Sequence, residues 1–203
     1  MRSSLALAAA LVLAPRPAPA GEAPPRPPRE TIERILAVVD ERPLLLSDVR
    51  TLEAVRGLAE AKAIEAAIDE RLMYLEASRL PQADVSPEEE ARALALLLET
   101  RPALRGAVPE PDLRRLLRRQ LAILKYVEFR FRPQVRVSDD DVRKAWEEEQ
   151  AGHPAGPALE DEQEAIRARL ERQALDERIE AWVASLRNRA DVRYVGGPPP
   201  DGP

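Results

Sequence analysis

Read for the spacing of its apolar residues, the chain is a run of helices bracketed by two short extended segments. The longest clear stripe lies in 112–132, DLRRLLRRQLAILKYVEFRFR, where Leu113, Leu116, Leu117, Gln120, Leu121, Leu124, Val127 and Phe131 recur at the i, i+3, i+4, i+7 spacing of one helix face. A second, narrower line of Ala122, Tyr126 and Phe129 lies roughly opposite. An ordinary surface helix has one apolar face, so this helix is expected to sit between layers or to offer its second face to a partner. Between the two lines stand seven basic residues: Arg114, Arg115, Arg118, Arg119, Lys125, Arg130 and Arg132.

The same reasoning orders the rest of the chain. Ile35–Asp40 (ILAVVD) is short, apolar and rich in β-branched residues, is broken by Glu41-Arg42-Pro43, and is followed by Leu44-Leu45-Leu46, which predicts a strand, a turn and a second extended piece. Ser47, with Asp48 behind it, is expected to cap a helix to about Val55, with Gly57 ending it. A helix from Glu60 to Arg79 carries Ile64, Ala67, Ile68, Leu72 and Leu75 inward and leaves Met73 off its stripe. Ser86-Pro87-Glu88-Glu89 places Ser at N-cap, Pro at N1 and Glu at N3, and predicts a helix to about Thr100 in which Leu96 points away from the apolar face. Ser138 with Asp141 predicts another, 139–150, with Val142 and Trp146 inward. A long helix, 159–189, then carries Leu159, Ile166, Leu170, Leu175, Ile179, Trp182, Val183 and Leu186. The five-residue step from 170 to 175 turns its stripe, so its two halves should bury different faces or the helix should bend. Residues 190–195 (ADVRYV) alternate like a strand. A lone strand has no stability, so this one is expected to pair with 35–40. The fold class expected is mainly α, with one helical domain closed by a small β pairing of its terminal strands.

Composition narrows the setting. The first 20 residues hold Arg2, an apolar run from Leu5 to Leu13 and Ala18-Pro19-Ala20, the form of a cleavable secretory signal. The apolar run is about half of the roughly 20 residues a spanning helix needs, so no transmembrane anchor is expected. A proline-rich leader follows at 21–30, then one domain over 31–195 (a part at 31–150 and a returning helix and strand at 159–195), then a Gly/Pro tail at 196–203. The 203 residues contain no cysteine, which removes disulfides, thiol nucleophiles and cysteine metal sites. Removing the leader's two arginines takes the formal net charge from −5 to −7, which argues against a nucleic-acid partner.

Catalytic chemistry is sparse. The one histidine, His153, stands in the Gly/Pro linker AGHPAGPA with no partner in sequence, leaving a Ser-His-Asp triad without a fixed base. Asp139-Asp140-Asp141 is accounted for by helix capping, and Glu88–Glu90 and Glu147–Glu149 by solvated helix faces. Neither a phosphate-cradling loop nor a metal-ligand pattern is present, so no enzyme activity, cofactor or metal is expected. The arginines of 112–132 read as a solvated or salt-bridged face.

Two blocks carry a resemblance. The first is Ala37-Val-Val-Asp-Glu-Arg-Pro-Leu-Leu-Leu-Ser-Asp48-Val49, then Ala66-Ala-Ile-Asp-Glu-Arg-Leu-Met-Tyr-Leu-Glu-Ala77 and Val85-Ser86-Pro-Glu-Glu-Glu90; the second is Leu113–Val127 followed by Val137-Ser138-Asp-Asp-Asp-Val142. In order and spacing they resemble the N-terminal chaperone region of the SurA family of periplasmic chaperones. The segment 159–195 resembles the part of that family that returns beside this region. The family's turn after the first strand commonly has Gly, where this chain has Glu41-Arg42-Pro43. Its parvulin-type prolyl isomerase domains, each of about 90 residues, would follow the helix ending at Gln150, where only Ala151–Ala158 stands.

The resemblance implies an ATP-independent periplasmic holdase for unfolded or nascent envelope polypeptides, outer-membrane or secreted, without an isomerase domain of its own. The alternatives are a dedicated envelope assembly factor, a dimeric structural protein, or, less well supported, a prolyl isomerase. Apolar residues off the main stripes are the client-binding candidates: Met73, Leu96, Tyr126 and Phe129. The competing role for each is packing inside the fold, or self-association through the second stripe.

Overall fold

The computed structural model describes residues 33–151 and 158–196. The expected leader at 1–20, the proline-rich segment 21–30, His153 and the tail beyond Gly196 lie outside the described residues. In chain order come β1 (Ile35–Val39), β2 (Arg42–Leu45), α1 (Leu46–Arg56), α2 (Glu60–Ala77), α3 (Pro87–Thr100), α4 (Glu110–Arg130), α5 (Asp139–Gln150), α6 (Leu159–Arg189) and β3 (Val192–Tyr194). The fold is mainly helical, with one small antiparallel sheet of order β2-β1-β3.

The sheet joins the two ends of the domain. Ala37 pairs with Tyr194, Val38 with Arg193 and Val39 with Val192, which is the pairing expected of 190–195 with 35–40. Asp40 fastens it from both sides: its N–H donates to the Asp191 carbonyl (3.0 Å) and its carboxylate accepts the Asp191 N–H (2.9 Å). Tyr194 donates its hydroxyl to Glu65 of α2 (2.6 Å). Burial, and then this bond to a carboxylate, push the Tyr194 phenol up to about 12. Arg187, near the end of α6, meets Glu65 (2.7 Å) and also Asp69.

Val39 pairs with Arg42, leaving Asp40 and Glu41 as a two-residue hairpin turn, both at positive φ (45° and 66°). Two positive φ values match the twist of the flanking strands but strain residues with a Cβ, which is why Asp-Gly is favoured in such turns. The break expected at Glu41-Arg42-Pro43 therefore falls one residue earlier, and Arg42 and Pro43 belong to β2. Replacing Glu41 by Gly is expected to raise stability by about 1 kcal/mol through relief of that strain. Urea denaturation, with an unchanged slope, measures it.

The helix ends follow local chemistry. Ser86 accepts from Glu89 N–H (3.2 Å) while the Glu89 carboxylate accepts from Ser86 N–H (2.8 Å), and Ser138 and Asp141 repeat the arrangement (3.2 and 3.0 Å). Gly57 closes α1 at φ 69°. The start of α1 differs from the expectation: the cap position is Leu45, not Ser47, and the Asp48 carboxylate accepts the Leu45 N–H (3.4 Å). The strand β2 runs straight into the helix, so no free residue remains at which Ser47 could cap.

The main core lies between the sheet and α1, α2, α4 and the end of α6, around Val39, Leu44, Val49, Leu52, Ile68 and Leu116. A second cluster, Leu94, Leu104, Val108 and Leu113, joins α3 to α4. The long α6 is one helix with two separate jobs. Its first half packs on α5, tied by Arg167 to Asp139 (2.6 Å) and to the Val137 carbonyl (2.9 Å). Its second half packs on α2 and the main core through Trp182 and Leu186. Ile166 and Leu186, its two buried residues, stand about 160° apart around the helix at 3.6 residues per turn, so the two halves bury different faces.

Candidate functional site

Helix α4 is the element on which α1, α2 and α3 all pack. Its buried residues are Leu113, Leu116, Ala122 and Val127. Leu113, Leu116 and Val127 belong to the expected main stripe, and Ala122 does not. Neighbours on both sides cover a broad sector that includes Ala122, from the supposed minor line, whereas Leu124 of the main stripe is 54% exposed. Leu117 and Leu121 beside it are only partly buried.

The sector between the two lines is filled by charge. Glu70 of α2 (3% exposed) and Asp48 of α1 (7%) are buried carboxylates. Arg119 reaches both, with Nε 2.7 Å from Glu70 and a terminal nitrogen 3.2 Å from Asp48. Arg71 pairs with Asp48 (3.1 Å), and Gln120 donates to Glu70 (3.2 Å). Burial works against the Arg119 cation, but Glu70 and Asp48 outweigh it and raise its pKa. For Arg71 burial wins, helped by the like charge of Arg119, and lowers the pKa against the pull of Asp48. These bonds lock α1, α2 and α4 together.

A second ion-pair group joins α3 to α4. Glu90 is buried, contrary to the solvated face expected for Glu88–Glu90, because α3 packs along α4 at that turn. It accepts from Arg114 (3.3 Å) and Arg118 (2.7 Å). Burial pushes its carboxyl up, yet these two guanidiniums outweigh it and hold the pKa below the ordinary value. Lys125 completes the seam, meeting Glu89 (2.7 Å) and the Asp84 carbonyl (2.6 Å). The salt-bridged reading of these arginines is thus the one observed. The sequence signal that would have found their partners is Glu70 and Arg71, adjacent acid and base in the middle of an apolar helix pattern.

The four candidate residues divide. Leu96 on α3 is 61% exposed and Phe129 on α4 is 52% exposed. Met73 is partly buried and packs against the main core. Tyr126 is also partly buried: Trp182 of α6 stacks on it, with ring centroids 4.9 Å apart and planes at 14°. Phe131 meets both rings edge-on, at 5.9 Å from Tyr126 and 5.3 Å from Trp182. The structure therefore sets Leu96 and Phe129 toward solvent and the other two against neighbouring elements. Leu124 joins the exposed set, which the stripe assignment had hidden.

Two adjoining hollows open between α2 and α4. One, of about 350 Å³, is walled by Tyr74, Glu90 and the arginines of both helices. The other, of about 330 Å³, is walled by Tyr74, Ser78, Asp84, Val85 and Arg118, with Ala83 and Ala122 at its base. Among the described residues no group of three acidic or histidine side chains could hold a metal ion, and no helix is long and apolar enough to cross a membrane. No protein-family model matches the chain, and no curated protein sequence matches it significantly.

Proposed function

We propose that the protein is an ATP-independent chaperone of the cell envelope that holds unfolded polypeptides, without an isomerase domain of its own. The observation that carries this reading is the exposure of large apolar side chains on an ion-paired helical frame: Leu96, Leu124 and Phe129 each keep more than half of their surface in water. Contacts of this kind are non-directional, and a holdase needs no more specific chemistry than that. The frame beneath them is cross-linked by buried charge, so the apolar surface need not collapse inward.

The setting in the periplasm rests on the signal-like leader, and the client class, outer-membrane or secreted chains, on the resemblance to the SurA N-terminal region carried by residues 37–90 and 113–142. The eight residues 151–158 between α5 and α6 are too few for a catalytic domain, which supports a binding role over prolyl isomerisation.

Light scattering from an unfolded outer-membrane protein tests the reading. Equimolar protein is expected to suppress aggregation, and the triple substitution Leu96→Ser, Leu124→Ser, Phe129→Ser is expected to remove most of that suppression without lowering Tm. No suppression by the unsubstituted protein would refute the proposal. A concentration-dependent dimer lost in the triple variant would instead favour self-association.

A further inference from the structure

The sheet order β2-β1-β3 leaves β2 and β3 as edges. Asp40 N–H donates to the Asp191 carbonyl and Val195 N–H to the Leu36 carbonyl, so Asp191, Arg193 and Val195 turn their backbone groups toward β1. In an antiparallel ladder these directions alternate. The N–H and C=O of Val192 and Tyr194 therefore point out of the sheet, and nothing among the described residues meets them. No element other than β1 packs broadly on β3. The other edge is blunted. Pro43 stands opposite Val38, whose backbone faces β3, so Pro43 lies on the outer side of β2 and brings no N–H to it.

Charge decides what fits the open edge. Asp191 and Arg193 flank Val192 on the exposed face of the strand; they pair with each other (3.1 Å), yet both side chains stay largely in water (63% and 64%). Acid and base two residues apart are self-complementary in an antiparallel pair. A second copy of β3 centred on Val192 sets each Asp191 against the other copy's Arg193. Val192 then exchanges its two backbone bonds with the second copy's Val192, and Tyr194 N–H meets the second copy's Ala190 carbonyl. The Ala190 N–H is already given to α6. Centred on Arg193 instead, the same strands would set two guanidiniums face to face, which like charges disfavour. The chain's own ends do not fit this edge. Pro24, Pro25, Pro27 and Pro28 before the domain, and Pro198, Pro199 and Pro200 after it, leave no row of N–H donors.

We infer that β3 is a self-pairing edge, through which two copies of the chain join antiparallel about Val192 into one continuous sheet of order β2-β1-β3-β3-β1-β2. The contact is a few backbone bonds long with an ion pair at each end, so the dimer is weak and exchanges freely. It stands independently of the chaperone reading and uses none of Leu96, Leu124 and Phe129.

Sedimentation tests it. The unsubstituted protein is expected to form a reversible dimer over roughly 10 µM to 1 mM, as suits a small interface. A monomer throughout that range overturns the inference. Asp191→Arg leaves two bases on the edge and Arg193→Asp two acids, so each alone should weaken the dimer about tenfold. An equimolar mixture of these two variants should restore it, since every facing pair is again of opposite sign. No recovery on mixing, with both variants folded by circular dichroism, overturns the inference, and so does a dimer of unchanged strength in either variant alone. Crosslinking reads the register without relying on charge, because the chain has no cysteine of its own. Residue 191 and the second copy's residue 193 form a non-hydrogen-bonded pair with Cα atoms about 4.5 Å apart, within reach of a disulfide. A mixture of Asp191→Cys with Arg193→Cys should therefore crosslink faster than either variant alone. Faster crosslinking of Arg193→Cys with itself overturns the pairing about Val192. The triple substitution at Leu96, Leu124 and Phe129 is expected to leave this dimer intact; loss of the dimer there would assign it to the apolar side chains and overturn the inference.

Discussion

Replacing Arg119 by Ala is expected to destabilise the protein by roughly 3–4 kcal/mol, the range found when one partner of a buried ion pair is removed. Two carboxylates depend on this guanidinium. Glu70 would keep Gln120 at 3.2 Å and a distant Arg56 at 3.8 Å, and Asp48 would keep only Arg71 and the Leu45 N–H as its partners. Neither carboxylate can turn toward water, since both are almost fully buried, so the loss is dominated by desolvated negative charge rather than by the missing bond itself. The same substitution at Arg115, exposed and paired with Asp112, is expected to cost less than about 1 kcal/mol. Chemical denaturation of the two variants side by side measures the contrast. Adding Glu70→Gln to Arg119→Ala should recover part of the loss, because it removes the charge left without its partner. Equal, small effects at both arginines would show that the network does not hold α1, α2 and α4 together.

Trp182→Ala is the second large effect, a loss of about 3 kcal/mol from large-to-small truncation of a packed aromatic. Its ring stacks on Tyr126, meets Phe131, and packs against the main core. It is therefore the bolt between the end of α6 and α4, and β3 follows α6 by only a few residues. Hydrogen exchange should locate the effect. The amides of β3 and the Val195 N–H, which donates to the Leu36 carbonyl at 2.9 Å, are expected to lose protection first. A variant that loses under about 1 kcal/mol and keeps that protection would mean that the ion pairs of Arg187 alone secure the C-terminal end. Freed of its cover, Tyr126 would also become available to a client, so this variant separates packing from binding at one of the original candidates.

Helix existence was legible because its causes are local. Ser86, Ser138 and Gly57 satisfy or terminate backbone groups within four residues of themselves. The strand pairing of 35–40 with 190–195 was legible for a different reason: the C-terminal strand stands alone in its part of the chain, and the free edge of the N-terminal hairpin is the partner open to it. The start of α1 was not, since an N-cap is defined by where the preceding strand lets go.

The candidate site was legible only in part. That α4 would carry two apolar lines and a basic flank is written in 112–132, and so is the off-stripe position of Leu96. Which line meets the core is a property of where α1, α2 and α3 stand around the helix, and their packing buried Ala122 while leaving Leu124 in water.

The sequence by itself determined the elements, the closure of the termini and the absence of cysteine chemistry, because capping, periodicity and composition act over a few residues. Only the tertiary structure decided which carboxylate the arginines of α4 meet, and that Glu70, Asp48 and Glu90 are buried. The ion pairs of α4 with other helices join residues 24 to 71 positions apart, as from Glu90 to Arg114 and from Asp48 to Arg119, and such partners are chosen by how helices pack, which no short stretch of sequence specifies.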